Sequence, residues 1–112
     1  MSRRTSAAKE LPDAAEVFAA LGDPTRLRLV RRMSDEGPQS ISDLTTGAGV
    51  TRQAIAKHLN ALADAGLAKS VKQGRQVVWS LETRRLEIAR RHLDFVSHSW
   101  DEALQRLKDF VE

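Results

Sequence analysis

Thr51-Arg52-Gln53-Ala54-Ile55-Ala56-Lys57-His58-Leu59-Asn60-Ala61-Leu62, running on to Ala65-Gly66, reads as one helix with two unlike sides. The Thr51 hydroxyl is placed to accept from the first free backbone N–H groups, and Gly66 suits the residue just past a helix end. Ile55, Leu59 and Leu62 stand at i, i+4 and i+7, a stripe that packs on earlier elements. At about 100° per residue, Gln53, Ala56, Lys57 and Asn60 fall on the opposite side, with Arg52 flanking them.

Upstream, Gly47-Ala48-Gly49-Val50 forms a tight turn. Before it, Ser40-Ile41-Ser42-Asp43 opens a short helix in the manner of a capping box, with Asp in place of Glu or Gln, and Ile41 and Leu44 face inward. A longer helix precedes that one. Asp23 caps it, Pro24 takes its first position, Leu27, Leu29, Val30 and Met33 are its apolar residues, and Gly37-Pro38 stops it. Pro12 is expected to start the first helix, with Ala15, Val17, Phe18 and Leu21 on its apolar side and Gly22 at its end. Downstream the period changes. Leu67 to Lys72 and Arg75 to Leu81 flank Gln73-Gly74, and Val77-Val78-Trp79 favours strand, so this is a hairpin with glycine in its turn. From Thr83 onward neither proline nor glycine occurs, and one long helix follows.

The order α-α-α-α-β-β-α, mainly helical with a β-hairpin wing, is that of a winged helix-turn-helix. Residues 1–11 are expected to form a basic and polar arm, 12–82 the DNA-binding domain and 83–112 a dimerisation helix.

The charge distribution agrees with that order. The net charge is +3, and residues 51–80 carry Arg52, Lys57, Lys69, Lys72 and Arg75 against Asp64 alone, while residues 1–50 and 81–112 each nearly balance. A localised cationic stretch suits a polyanion. Arg pairs with guanine, Gln and Asn with adenine, and Lys with guanine or phosphate, so Arg52, Gln53, Lys57 and Asn60 form a set that reads or grips a major groove. Ala56 is small enough to let the helix approach base edges. The N–H groups at Thr51, and those opening the short helix near Ser40, favour a phosphate. Gln73 and Arg75 put a flexible tip and a charge beside a minor groove or backbone. His58 lies next to the apolar stripe, where a packed or phosphate-contacting histidine is expected.

The composition excludes several classes. Without cysteine there are no disulfides, thiolate metal sites or cysteine nucleophiles. No apolar run reaches the roughly 20 residues of a membrane span, and the polar start Met1-Ser2-Arg3-Arg4-Thr5-Ser6 carries no signal-peptide core, so a cytoplasmic location with no membrane partner is expected. No paired carboxylates, Ser/His/Asp order or phosphate loop points to an enzyme, and no cofactor is expected.

The runs Phe18-Ala19-Ala20-Leu21-Gly22-Asp23-Pro24-Thr25-Arg26-Leu27-Arg28-Leu29-Val30, Ile41-Ser42-Asp43-Leu44 and Thr51 to Leu62, continued by Ala65-Gly66-Leu67-Ala68 and Gly74-Arg75, resemble the ArsR-type winged-helix repressors, the arsenic- and metal-responsive family. The resemblance spans about residues 13–81. It implies a homodimer built mainly on the first helix, around Val17 and Phe18, and on the last. It also implies repression by occupancy of a palindromic operator, often that of the protein's own operon. Two departures stand out: Ala56 replaces a common serine, and the metal-sensing cysteines of many members are missing. The inducer, a small molecule or a protein, is left open.

On the last helix, Leu93, Val96, Trp100, Leu104, Leu107 and Val111 recur at spacings of three and four, a seam suited to a helical partner. A helix of this length spans roughly 42 Å, more than the small body of the domain can cover, and a twofold copy is the simplest cover. Family members that bind zinc between last helices use paired Asp/His and His/Glu ligands. Here His98, Asp101 and Glu102 supply only one half, and an ordinary helix surface is the favoured reading. The competing classes are a zinc-responsive repressor and a winged-helix module that binds protein through the seam.

Overall fold

The computed structural model describes the backbone of residues 3–111 and the side chains from Glu10 to Val111; Met1, Ser2 and Glu112 lie outside the described residues. Eight elements follow in order: α1 (Arg3–Leu21), α2 (Pro24–Glu36), β1 (Gln39–Ser40), α3 (Ile41–Thr45), α4 (Arg52–Asp64), β2 (Ala68–Gln73), β3 (Gln76–Leu81) and α5 (Thr83–Val111).

The local chemistry explains most boundaries. Asp23 accepts from the Arg26 N–H at 3.0 Å and Pro24 opens α2. Ser40 caps α3 through the Asp43 N–H, and Thr51 caps α4 through the Ala54 N–H, both at 3.1 Å. At the other end of α4, Leu67 N–H donates to Leu62 C=O and Gly66 N–H to Ala63 C=O, each at 2.9 Å, with Gly66 at φ 76°. This paired closure is a Schellman motif, which sets a left-handed residue there.

Three features differ from the sequence expectations. Pro12 sits inside α1 instead of starting it, and the stretch expected as an arm is helical from Arg3. Proline removes one N–H from a helix interior. Its ring is exposed here, and the residues before it include good helix formers, so the helix continues through. Second, Gln39–Ser40 pairs antiparallel with Val78–Trp79, giving a three-stranded sheet in the order β1-β3-β2 rather than a lone hairpin. Two residues carry no readable alternation, so this strand is visible only from its partner. Third, the hairpin turn is Gly74-Arg75 between the paired Gln73 and Gln76. Gly74 has φ 62° and Arg75 a negative φ, the sign pattern of a type II′ turn.

The core lies between α1, α2, α4 and the sheet. Val17, Leu44, Ile55, Leu59, Leu62 and Leu67 are fully enclosed, joined by Leu29, Met33 and Trp79. The buried side of α1 is Ala14, Val17 and Ala20, while Ala15 is exposed; on α2, Leu27 is exposed. The helices α1 and α5 run against each other, laced by Arg91–Glu10 and Arg85–Glu16, each 2.8 Å. No described helix is long and apolar enough to cross a membrane.

Candidate nucleic-acid interface

The stripe on α4 decides what its other side can do. Ile55, Leu59 and Leu62 are each at 0% exposure, which fixes the rotation of the helix about its axis. Arg52, Gln53, Lys57 and Asn60 are consequently exposed together, and Ala56 between them is half-buried. Thr51 stands exposed at the same end, with its hydroxyl committed to the Ala54 N–H. Arg52 is held rather than free: its guanidinium donates to the Ser42 hydroxyl of α3 at 3.2 Å. Ser42 was not singled out from sequence. Its place in the second position of a neighbouring short helix gives no local sign that it meets a residue ten positions on.

In the wing, Lys72, Gln73 and Arg75 are exposed, and so is Gln76 opposite Gln73. Lys69 is engaged by Glu82 at 3.5 Å. Lys57, Lys72 and Arg75 make no ion pair with any described residue, so their charge is available to an outside anion. Lys57 lies on the same side of α4 as Gln53 and Asn60, so that side combines an unpaired cation with amide groups that can donate and accept.

Three expected site residues are placed elsewhere. Ser40 is buried at 7% exposure, with its hydroxyl oxygen accepting from the Asp43 N–H, so its side chain serves the cap of α3 and is turned away from an outside phosphate. Val17 is fully buried inside the single chain, since the core of α1 runs through Ala14, Val17 and Ala20; it cannot face a second copy. Phe18, its neighbour in sequence, remains 43% exposed. His58 turns away from the polar face, as its position three residues after Ile55 dictates. Its Nδ1 stands 3.4 Å from the Arg26 guanidinium and 3.9 Å from the Asp23 carboxylate. Arg26 in turn donates from Nε to Ala20 C=O at 2.6 Å. Asp23, Arg26 and His58 thus fasten the α1–α2 corner to the inner side of α4. The backbone N–H of Arg26, and then the charges of His58 and Arg26, hold the Asp23 carboxyl below its ordinary range. Leu21-Gly22-Asp23-Pro24-Thr25-Arg26 and Lys57-His58-Leu59, which lie within the runs that carry the family resemblance, are in physical terms the two halves of this lock.

On α5, Ile88 and Ala89 pack into the core, whereas the seam residues Leu93, Val96, Trp100, Leu104, Leu107 and Val111 are all exposed, Trp100 at 65% and Val111 at 77%. His98 Nε2 and Glu102 Oε1 are 3.2 Å apart across one helical turn, and Asp101 is exposed beside them. Among the described residues, no three His, Asp or Glu side chains gather where they could hold a metal ion.

A helix-turn-helix domain family matches residues 21–71, the span from the end of α1 to the first part of the wing. An ArsR-like transcriptional regulator from Rhodococcus sp. RHA1 superposes with a TM-score of 0.72 at 40% identity, covering 91% of this chain and 95% of that one. The HTH-type transcriptional repressor SmtB of Mycobacterium tuberculosis is 30% identical over 97 residues, 86% of this chain and 70% of its own. A homodimeric winged helix-turn-helix DNA-binding domain from Mycobacterium bovis shares the fold at a TM-score of 0.62 and 24% identity, covering 95% of this chain and 93% of that domain.

Proposed function

Because the chain belongs to the ArsR-type winged helix-turn-helix transcriptional regulators, we propose that it is a cytoplasmic, homodimeric repressor that reads a palindromic operator in its own or a neighbouring operon. The observation that carries this reading is the exposed set Gln53, Lys57 and Asn60 on a helix locked from behind by three fully buried side chains. Gln53 and Asn60 supply amide pairs suited to adenine, Arg52 a guanidinium pre-set by Ser42, and Lys57, Lys72 and Arg75 the phosphate contacts. No thiolate metal can relieve such a repressor, since the chain has no cysteine.

The exposed seam supports the dimer. An α5 of 29 residues is about 43 Å long, and from Leu93 onward it turns Leu93, Val96, Trp100, Leu104, Leu107 and Val111 to solvent. A second copy burying the same stripe against its own, together with Phe18 of α1, would cover it. Two copies related by a twofold would bring two α4 helices to successive major grooves about 34 Å apart.

The test is a mobility-shift titration with the DNA upstream of the coding sequence, at two salt concentrations and against random competitor. A saturable complex that survives competitor, of twice the protomer mass, is the expected result. Only salt-sensitive, competitor-erased binding would contradict sequence reading.

A further inference from the structure

Arg85, two residues into α5, ties its own helix to two other elements. Its guanidinium donates to Glu16 of α1 at 2.8 Å, stands 3.6 Å from Asp13 of the same helix, and donates to Ala65 C=O at 3.2 Å. Ala65 is the last residue of the recognition-helix turn, and its carbonyl is one of those an α-helix leaves without a partner. A passage for this side chain is built into the backbone. A Cβ at Gly66 would come within 2.7 Å of Arg85 Cδ and 3.0 Å of its Nε. Glycine at position 66 therefore serves twice: it allows φ 76°, and it leaves the groove through which the arginine reaches α4. The helices α4 and α5 are not close neighbours along their backbones, and among the described residues this is the hydrogen bond that ties one to the other.

We infer that Arg85 is a positioning residue for DNA recognition: it sets the angle of α4 relative to the α1/α5 pair, and through that pair the distance between the two recognition helices of a dimer. Apolar helix packing is tolerant of small slides and rotations, whereas a guanidinium held by two carboxylates and a helix-end carbonyl is directional. The clamp lies at the end of α4 away from Arg52 and Gln53, so it governs where the helix points and not what it reads. Within one half-site its removal is silent. Across two half-sites it is felt, because both helices must meet the groove at a fixed separation. The inference rests on the dimeric reading above.

The experiment compares wild type, Arg85→Gln and Arg85→Lys on three duplexes: one half-site, the native full site, and full sites lengthened or shortened by one or two base pairs. Sedimentation without DNA is measured for each protein. Wild type is expected to be a dimer that discriminates sharply among spacings. Arg85→Gln is expected to keep wild-type half-site affinity and dimer mass, lose about tenfold on the native site, and bind the altered spacings almost equally. Arg85→Lys keeps a charge for Glu16 and Asp13 but cannot also span to Ala65, so it should recover thermal stability without recovering spacing preference. If Arg85→Gln is poorly folded, Glu16→Gln, which loosens the clamp from the α1 side, should move spacing preference in the same direction. A variant with the wild-type spacing profile, or one that loses half-site and full-site affinity alike, overturns the role of Arg85. A monomeric wild type, or one indifferent to spacing, overturns it through the dimer on which it depends, and sedimentation tells the two failures apart.

Discussion

Helix α4 and the part of α5 from Leu93 onward are written in the same code, apolar residues at spacings of three and four, but they meet opposite circumstances. On α4 the stripe Ile55-Leu59-Leu62 is sealed by the chain's own α2, α3 and β2. On α5 the stripe from Leu93 to Val111 projects past the body and stays exposed. An enclosed stripe fixes a helix in one orientation and frees its other side for a ligand. An open stripe is itself the binding surface. On the proposed reading the two helices divide the work accordingly: one for DNA, the other for a second copy.

Substitutions can separate these roles, beginning with the deepest. Leu59→Ala should cost about 2–5 kcal/mol of folding stability, because it opens a cavity where nothing can collapse inward; a urea midpoint shift of that size checks it. Trp100→Ala should weaken self-association about thirtyfold or more, as loss of a central aromatic anchor does, and leave nearly unmoved the urea midpoint of the dissociated protomer at high dilution; sedimentation equilibrium reads the first. If Trp100→Ala unfolds the chain as Leu59→Ala does, the contrast between the stripes fails.

Effects on the outer face of α4 should be smaller and of two kinds. Gln53→Ala should cost about 1–3 kcal/mol on the operator and flatten the preference at one base position, leaving random DNA untouched. Lys57→Ala should weaken all sequences alike and reduce the salt slope by about one. Binding isotherms on matched and mismatched sites over a salt series distinguish them.

The smallest effect concerns the lock behind α4. Asp23 has a folded-state pKa below its ordinary value of 3.8. Its contribution is therefore complete above that ordinary value and is lost as pH falls through the lower, folded one. Asp23→Asn keeps an acceptor for the Arg26 N–H but drops the charge that faces Arg26 and His58. The variant should be slightly less stable at neutral pH and converge with wild type in acid, which thermal melts between pH 2 and 7 would register.

What the sequence made legible was local. The stripe on α4 and the caps at Asp23, Ser40 and Thr51 each declare themselves within a few residues, and each stands where expected; the wing's turn declares itself through Gly74 but falls one residue later than read. The misread features are those in which a local sign meets a distant partner. Pro12 resembles a helix start, yet α1 runs through it alongside α5. Strand β1 exists because β3 pairs with it. Ser40 has the chemistry of a phosphate contact and the burial of a core residue. His58 and Arg26, 32 positions apart, and Arg85 and Glu16, 69 apart, meet only once the chain is folded.

The central claim is that the exposed side of α4, with the wing beside it, is the surface that meets DNA. Amide and side-chain NMR of the chain titrated with its upstream duplex tests it most directly. Shifts or broadening should concentrate at Arg52, Gln53, Lys57, Asn60, Lys72 and Arg75, with Leu104 and Leu107 unmoved. Perturbation centred on the α5 stripe, with the α4 face silent, would contradict the account.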